Sequence, residues 1–171
     1  MEKDNIRIRP IKKVDLKYLN DWKNNKEVYK YLGGGFMPVS IDTQEQWLEN
    51  IIDTTSNNKR FIIEIVDTNK PIGIIGLYDI NWIHRTTEIG LFIGDEAEQG
   101  KGYAKISYEL IETFAKNNLN LRKIKLFVVY KNEKALSLWE NCGFIEVGNL
   151  LDERYIDGKY LDLVIMEKFL A

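Results

Sequence analysis

Apolar residues along the chain recur at two spacings, every second position and every third to fourth, and the switches between them mark out the elements. Ile6 and Ile8 alternate with Arg7 and Arg9, which predicts a short strand ended by Pro10, and Leu16, Leu19 and Trp22 follow at helical spacing. A second helix is predicted over 44–52, running to about Thr55, on the stripe Trp47, Leu48, Ile51 and Ile52. Asp42, with Glu45 three residues on, reads as its capping-box-like start. Three β-rich runs come next, at 60–66, 72–82 and 87–93, separated by the turn formers of 67–71 and by His84-Arg85-Thr86; they read as an antiparallel meander.

After Gly94 the pattern becomes helical over 101–116, with Tyr103, Ile106, Leu110, Ile111 and Phe114 on one stripe. A compact strand at 123–129 and a short helix at 133–141 stopped by Gly143 follow. Two last runs, 144–155 and 159–169, flank Asp157-Gly158, a strong hairpin signal. The sum is an α+β domain with a mixed sheet: antiparallel in its middle, the helix from Lys101 crossing over to a strand parallel to its predecessor. At 171 residues without a Gly-, Ser- or Pro-rich linker, the chain is expected to be one domain over 1–171.

Composition narrows the chemistry. The 24 basic and 26 acidic residues leave a net charge of −2, so no global excess would draw nucleic acid or anionic lipid. Residues 1–10 lack the apolar core of a signal peptide, and the longest apolar candidate, 61–80, is broken by Glu64, Asp67, Lys70, Pro71 and Asp79. The single cysteine, Cys142, makes no internal disulfide, and with the single His84 it falls short of a zinc set. No metal and no membrane span are expected, and a reducing cytoplasm fits.

Where a strand gives way to the long helix stands Gln99-Gly100-Lys101-Gly102-Tyr103-Ala104. Two glycines there permit unusual φ values and close approach, and the unpaired amides of a helix's first turn suit an anion. A plain tight turn explains the same residues. The P-loop pattern and the three-glycine dinucleotide fingerprint are both absent, which removes support for kinase or dehydrogenase chemistry. Gly33-Gly34-Gly35 reads as a flexible loop.

The segment Gln99–Ala104 resembles the Gln/Arg-x-x-Gly-x-Gly/Ala loop of the GNAT family of N-acetyltransferases. Asn132-Glu133-Lys134-Ala135 with Leu138-Trp139-Glu140-Asn141-Cys142-Gly143-Phe144 resembles that family's second motif, and Thr87-Glu88-Ile89-Gly90 its fourth strand. Asp157-Gly158-Lys159-Tyr160-Leu161-Asp162 resembles the closing hairpin of the branch holding ribosomal-protein alanine acetyltransferases and spermidine acetyltransferases. The resemblance implies a mostly antiparallel sheet of about seven strands with helices on both faces. It implies acetyl-CoA as cosubstrate, and a small-molecule or peptide amine as acceptor: a protein N-terminus, a polyamine or an amino-sugar. Homodimers are common in that branch, so a homodimer is an open expectation.

The resemblance also implies roles. The amides of Gln99, Gly100, Lys101, Gly102, Tyr103 and Ala104 would hold the pyrophosphate, and the strand around Phe92 and Ile93 would pair with the pantetheine. A bulge on that strand would aim an amide at the thioester carbonyl. Asn132 would contact the cofactor, and would equally serve as a helix N-cap. Glu88 matches the strand-borne base that takes the ammonium proton; a half-buried glutamate paired with Arg85 or a lysine explains it too. His84 reads as a surface histidine. Trp139 stands where the family usually has an acidic tyrosine. An indole N–H donates but has no accessible acid function, so Trp139 is expected to wall the thioester pocket while water protonates the thiolate. Ser137, Cys142, Tyr103 and Tyr155 are the other hydroxyls and thiol nearby, with packing the default for each.

Two features are candidates for the acceptor: the 29–36 loop, and an acidic stripe at Asp42, Glu45, Glu49 and Asp53 that also reads as a solvated face. A catalytically silent acyl-CoA-binding module is the rival expectation, motivated by Trp139.

Overall fold

The computed structural model describes residues 1–51 and 56–170. Its strands are β1 (Glu2–Lys3), β2 (Ile6–Pro10), β3 (Lys59–Ile65), β4 (Lys70–Asn81), β5 (Thr86–Ile93), β6 (Lys123–Val129), β7 (Ile145–Ile156) and β8 (Lys159–Phe169). Its helices are α1 (Leu16–Lys23), α2 (Lys26–Tyr29), α3 (Ile41–Ile51), α4 (Tyr103–Asn117) and α5 (Glu133–Asn141). The strands form one sheet in the order β1-β2-β3-β4-β5-β6-β8-β7, antiparallel except where α4 carries the chain from β5 to a parallel β6. The expected α+β class and mixed sheet are thus present, with eight strands rather than about seven. The extra one, β1, is too short for any periodicity; Asp4 (φ 46°) and Asn5 (φ 64°) turn it back onto β2 with both central residues left-handed. Asp157 (φ 49°) and Gly158 (φ 81°) do the same between β7 and β8, as their sequence predicts.

Alternation along the strands separates two apolar layers. Ile6, Ile8, Ile63, Ile75, Leu77 and Ile89 face α4 and α5, with Tyr108, Ile111, Trp139 and Phe144. Ile62, Ile74 and Phe92 face the other way, against Leu19 and Trp22 of α1 and Leu48 of α3. A third, smaller layer on that second face joins Val129, Leu161 and Leu163 to Tyr31. Burying each such aliphatic side chain contributes roughly 1.5–3 kcal/mol. β2 and β3 are also tied by charge: Arg9 donates to Glu64 at 2.6 Å and to both Asp15 oxygens at 2.8 Å, and both carboxylates are buried.

The start of α3 corrects one expectation. Ser40 is the cap: its hydroxyl accepts from the Thr43 amide at 3.1 Å, and Asp42 lies inside the first turn, where its charge suits the helix dipole. The expected run to Thr55 and Ile52's place in the stripe lie outside the described residues. Among the described residues no helix is long and apolar enough to cross a membrane.

Candidate functional site

The site begins where two strands part. β5 and β6 pair only at Thr86↔Lys123, Thr87↔Ile124 and Glu88↔Lys125, although both continue, β5 to Ile93 and β6 to Val129. Beyond Glu88 the edge of β5 has no neighbour on β6, so its backbone is open to an added strand-like ligand. Phe92 and Ile93 lie on this open stretch. Phe92's ring packs on Trp22 and Tyr29, at 6.1 and 5.4 Å between centroids, and Ile93's carbonyl accepts from Gln99 Nε2 at 2.9 Å. The bulge expected on this strand lies elsewhere. From Tyr78↔Glu88 to Gly73↔Ile93 the register with β4 is unbroken, and the extra residue sits on β4 next to Asp79, whose φ is 49°.

At the mouth of the fork stands the glycine loop. Gly100 (φ 76°) and Gly102 (φ 85°) are left-handed, and Gly102 is the N-cap residue of α4. Lys105 N and Ile106 N both donate back to Gly102 O, at 3.1 and 3.3 Å. Helix geometry leaves the amides of Gly102, Tyr103 and Ala104 without an intrahelical acceptor, beside the positive end of the dipole. A Cβ built at Gly100 or Gly102 meets no atom within 4 Å, so the space over these amides is open and the residues present fit a pyrophosphate. Lys101 Nζ is held by Glu98 at 2.7 Å, and Lys70 bridges Glu98 and Asp95 at 3.2 and 2.7 Å. The Lys70 ammonium holds the Asp95 carboxyl below its ordinary range, and Lys101 with Lys70 does the same for Glu98.

Glu88 lies half-buried at the crotch of the fork, on the face with Gly90 and Phe92, between the α1–α3 layer and the Tyr31 layer. Burial pushes its pKa up, opposed by Lys125 and Arg154 and reinforced by Asp79. It forms no close ion pair among the described residues. Arg85, offered as a partner, instead donates to Asn120 at 3.1 Å. Beside Glu88 is a group that the sequence did not reveal. Tyr78, its cross-strand neighbour, lays its ring over the glycine pair Gly76↔Gly90, where a Cβ would come within 2.7 and 3.1 Å of it. Arg60 stands 5.0 Å above that ring, and burial pushes the Tyr78 hydroxyl pKa up, opposed by Arg60. The signal was the pair of glycines inside strand patterns, which marks a close approach.

Asn132 caps α5, its side-chain oxygen accepting from the Ala135 amide at 3.3 Å. Trp139 is 5% exposed and packs edge-on against Tyr108 and Phe144, at 5.6 and 5.3 Å. Most of its ring is core, so as a pocket wall it offers only an edge. Cys142 is buried and burial raises its thiol pKa, whereas Ser137 is exposed. Tyr155 is 67% exposed and its ring lies tilted against Tyr160, 5.1 Å between centroids. His84 is exposed on the turn between β4 and β5. On the acidic stripe Asp42, Glu45 and Glu49 are exposed; Asp53 lies outside the described residues.

Comparison with known proteins agrees with this geometry. The family described as acetyltransferase (GNAT) domain matches residues 5–145. The spermidine N(1)-acetyltransferase of Vibrio cholerae is 32% identical over 169 residues, 96% of this chain and 95% of that protein. That of Escherichia coli K12 is 30% identical over 161 residues, 94% of this chain and 84% of that one. The crystal structure of the Vibrio cholerae spermidine N-acetyltransferase in complex with CoA and spermine superposes with a TM-score of 0.90, at 31% identity over 97% of this chain and 96% of that chain.

Proposed function

The chain belongs to the GNAT family of acetyl-CoA-dependent N-acetyltransferases, and from that premise we propose that its acceptor is a primary amine of a polyamine of the spermidine class. The observation that carries this reading is the likeness, over nearly the whole chain, to spermidine acetyltransferases, one of them solved with CoA and spermine. When bound, acetyl-CoA supplies a thioester whose carbonyl carbon takes the amine and whose sulfur leaves as thiolate. The amides of Gly102, Tyr103 and Ala104 bind the anionic end of the cosubstrate, and Gln99 braces the loop against β5. Asn132 caps α5 through its side-chain oxygen, which leaves its side-chain N–H groups for the cosubstrate.

Glu88 takes the proton that the ammonium must lose before its nitrogen attacks. Its half-burial favours the protonated form, which makes it a stronger base than an exposed glutamate, and the positive charges of Lys125 and Arg154 oppose that rise. The thiolate's proton comes from water, because Trp139 carries no acidic hydroxyl. The homodimer of the same branch is a further proposal, supported by the exposed Ile145, Val147 and Leu151 on edge strand β7; sedimentation velocity measures it.

The test is thiol release from acetyl-CoA with spermidine, spermine, a peptide N-terminus and an amino-sugar. Spermidine or spermine is expected to give the highest kcat/KM. A faster peptide or sugar would overturn the acceptor class, and no release with any amine would favour the silent binding module.

A further inference from the structure

Glu88 and the 31–35 loop share one neighbour, Arg154. Tyr31 is anchored in the layer of Val129, Leu161 and Leu163, and the chain then runs through Gly33, Gly34 and Gly35, of which Gly35 is left-handed at φ 64°. Three successive glycines supply no side chain to fix this segment. Beyond its own turn bond, from the Gly35 amide to the Leu32 carbonyl at 2.8 Å, it is held by Arg154, on the far edge strand, whose Nη1 donates to the Gly33 carbonyl. A Cβ at Gly33 would touch Arg154 Nη2 at 3.4 Å, so the guanidinium lies against that backbone.

Arg154 reaches the loop because β7 is irregular. Between Leu150↔Leu163 and Arg154↔Leu161, β7 spends more residues than β8. The excess is folded out at Asp152 (φ 51°), whose amide donates to the Asp162 carboxylate at 2.9 Å, joined by Asn149 Nδ2 at 3.4 Å. Bulges re-aim the residue that follows them. Here that residue is Arg154. Its other donors are left over: Nε is buried without an acceptor, and no carboxylate pairs with the guanidinium among the described residues. A guanidinium held by one neutral carbonyl keeps its full charge.

Resting on the reading of Glu88 as the base, we propose that Arg154 is the positioning residue of the acceptor side. It latches the 31–35 loop, and it keeps a positive charge within reach of Glu88. The groups facing Glu88 are Tyr78 and Asp79 from β4, Lys125 from β6 and Arg154 from β7, with Arg60 of β3 above Tyr78. Among the described residues Arg154 is the one of these three cations with a hydrogen bond to the loop. The latch therefore couples two quantities, how tightly the acceptor is held and the pH at which Glu88 becomes a base.

The experiment compares Arg154→Met and Arg154→Lys with wild type in the full-length chain, using the fastest amine of the panel. For Arg154→Met the acceptor KM is expected to rise about fivefold or more, the factor corresponding to one lost hydrogen bond of about 1 kcal/mol, with the acetyl-CoA KM unchanged. The acid limb of kcat/KM is expected to move to higher pH, because removing a positive charge makes Glu88 easier to protonate. Arg154→Lys restores the limb but only part of the KM, since an ammonium keeps the charge without the fork. Hydrogen exchange at the 33–35 amides rises in Arg154→Met. An acceptor KM and an acid limb both unchanged in Arg154→Met, with loop exchange also unchanged, overturn the proposal. A limb unmoved by Glu88→Gln instead overturns the assignment of the base; the loop's exchange and the acceptor KM still judge the latch.

Discussion

Gly102→Val puts the cosubstrate loop to the sharpest test, because the structure separates its two costs. The first is internal. Gly102 holds φ 85° and ψ −3°, a conformation that costs an L-residue roughly 1–2 kcal/mol, and a β-branched one no less. For a chain of this size each kcal/mol moves Tm by about 2–4 °C, so the ligand-free variant is expected to melt about 2–8 °C lower. No further internal penalty arises, since a Cβ there meets nothing within 4 Å. The second cost appears only with ligand. Acetyl-CoA at 100 times its Kd stabilises wild type by about 2.7 kcal/mol, a rise of about 5–11 °C on the same scale. In Gly102→Val the isopropyl group fills the open space over the Tyr103 and Ala104 amides, and most of that rise is expected to vanish. Thermal melts with and without acetyl-CoA measure both quantities. A variant that melts lower yet keeps the wild-type ligand shift would show that the anion is held elsewhere.

Glu88→Gln is expected to lower turnover by roughly 10² or more near neutral pH, with the deficit shrinking as pH rises and free amine accumulates; a pH-independent deficit would refute the role of base. Wild-type kcat/KM should have its acid limb above the ordinary range of a glutamate, because burial raises the Glu88 pKa and only the ionised form accepts a proton. Asp95 and Glu98 have folded pKa values below their unfolded ones, so the stability they add is complete above the unfolded values, near 4, and is lost as pH falls through the folded ones. Lys70→Met removes their shared cation and should flatten that acid-side loss in a series of melts from pH 6 to 3. Gly90→Ala brings a methyl within 3.1 Å of the Tyr78 ring and is expected to raise the acceptor KM more than the acetyl-CoA KM; the reverse ratio would place Tyr78 outside the acceptor side.

How far the sequence reached follows from what each signal encodes. Strand and helix periods, the Asp157-Gly158 turn and the glycine loop are local, and among the described residues the structure has each close to where the pattern predicts it, α3 beginning earlier, at Ile41. β1 escapes because two residues carry no period, and the cap of α3 falls at Ser40 rather than Asp42 although both suit a helix start; only the amide of Thr43 decides between them. Tyr78 over Gly76 and Gly90, and Arg154 on Gly33, join residues far apart in the chain, and no local pattern names the partner. Trp139 shows the limit most clearly. Its place on α5 follows from spacing, but spacing gives a helix face and not what that face meets. Tyr108 and Phe144 take up most of the indole, so this position serves the core first. Replacing a tyrosine by tryptophan exchanges an acid for packing area, which is tolerable only where the leaving group can take its proton from water. A thiolate can, and on the proposed mechanism the remaining chemical demand falls on Glu88 and the groups that tune it.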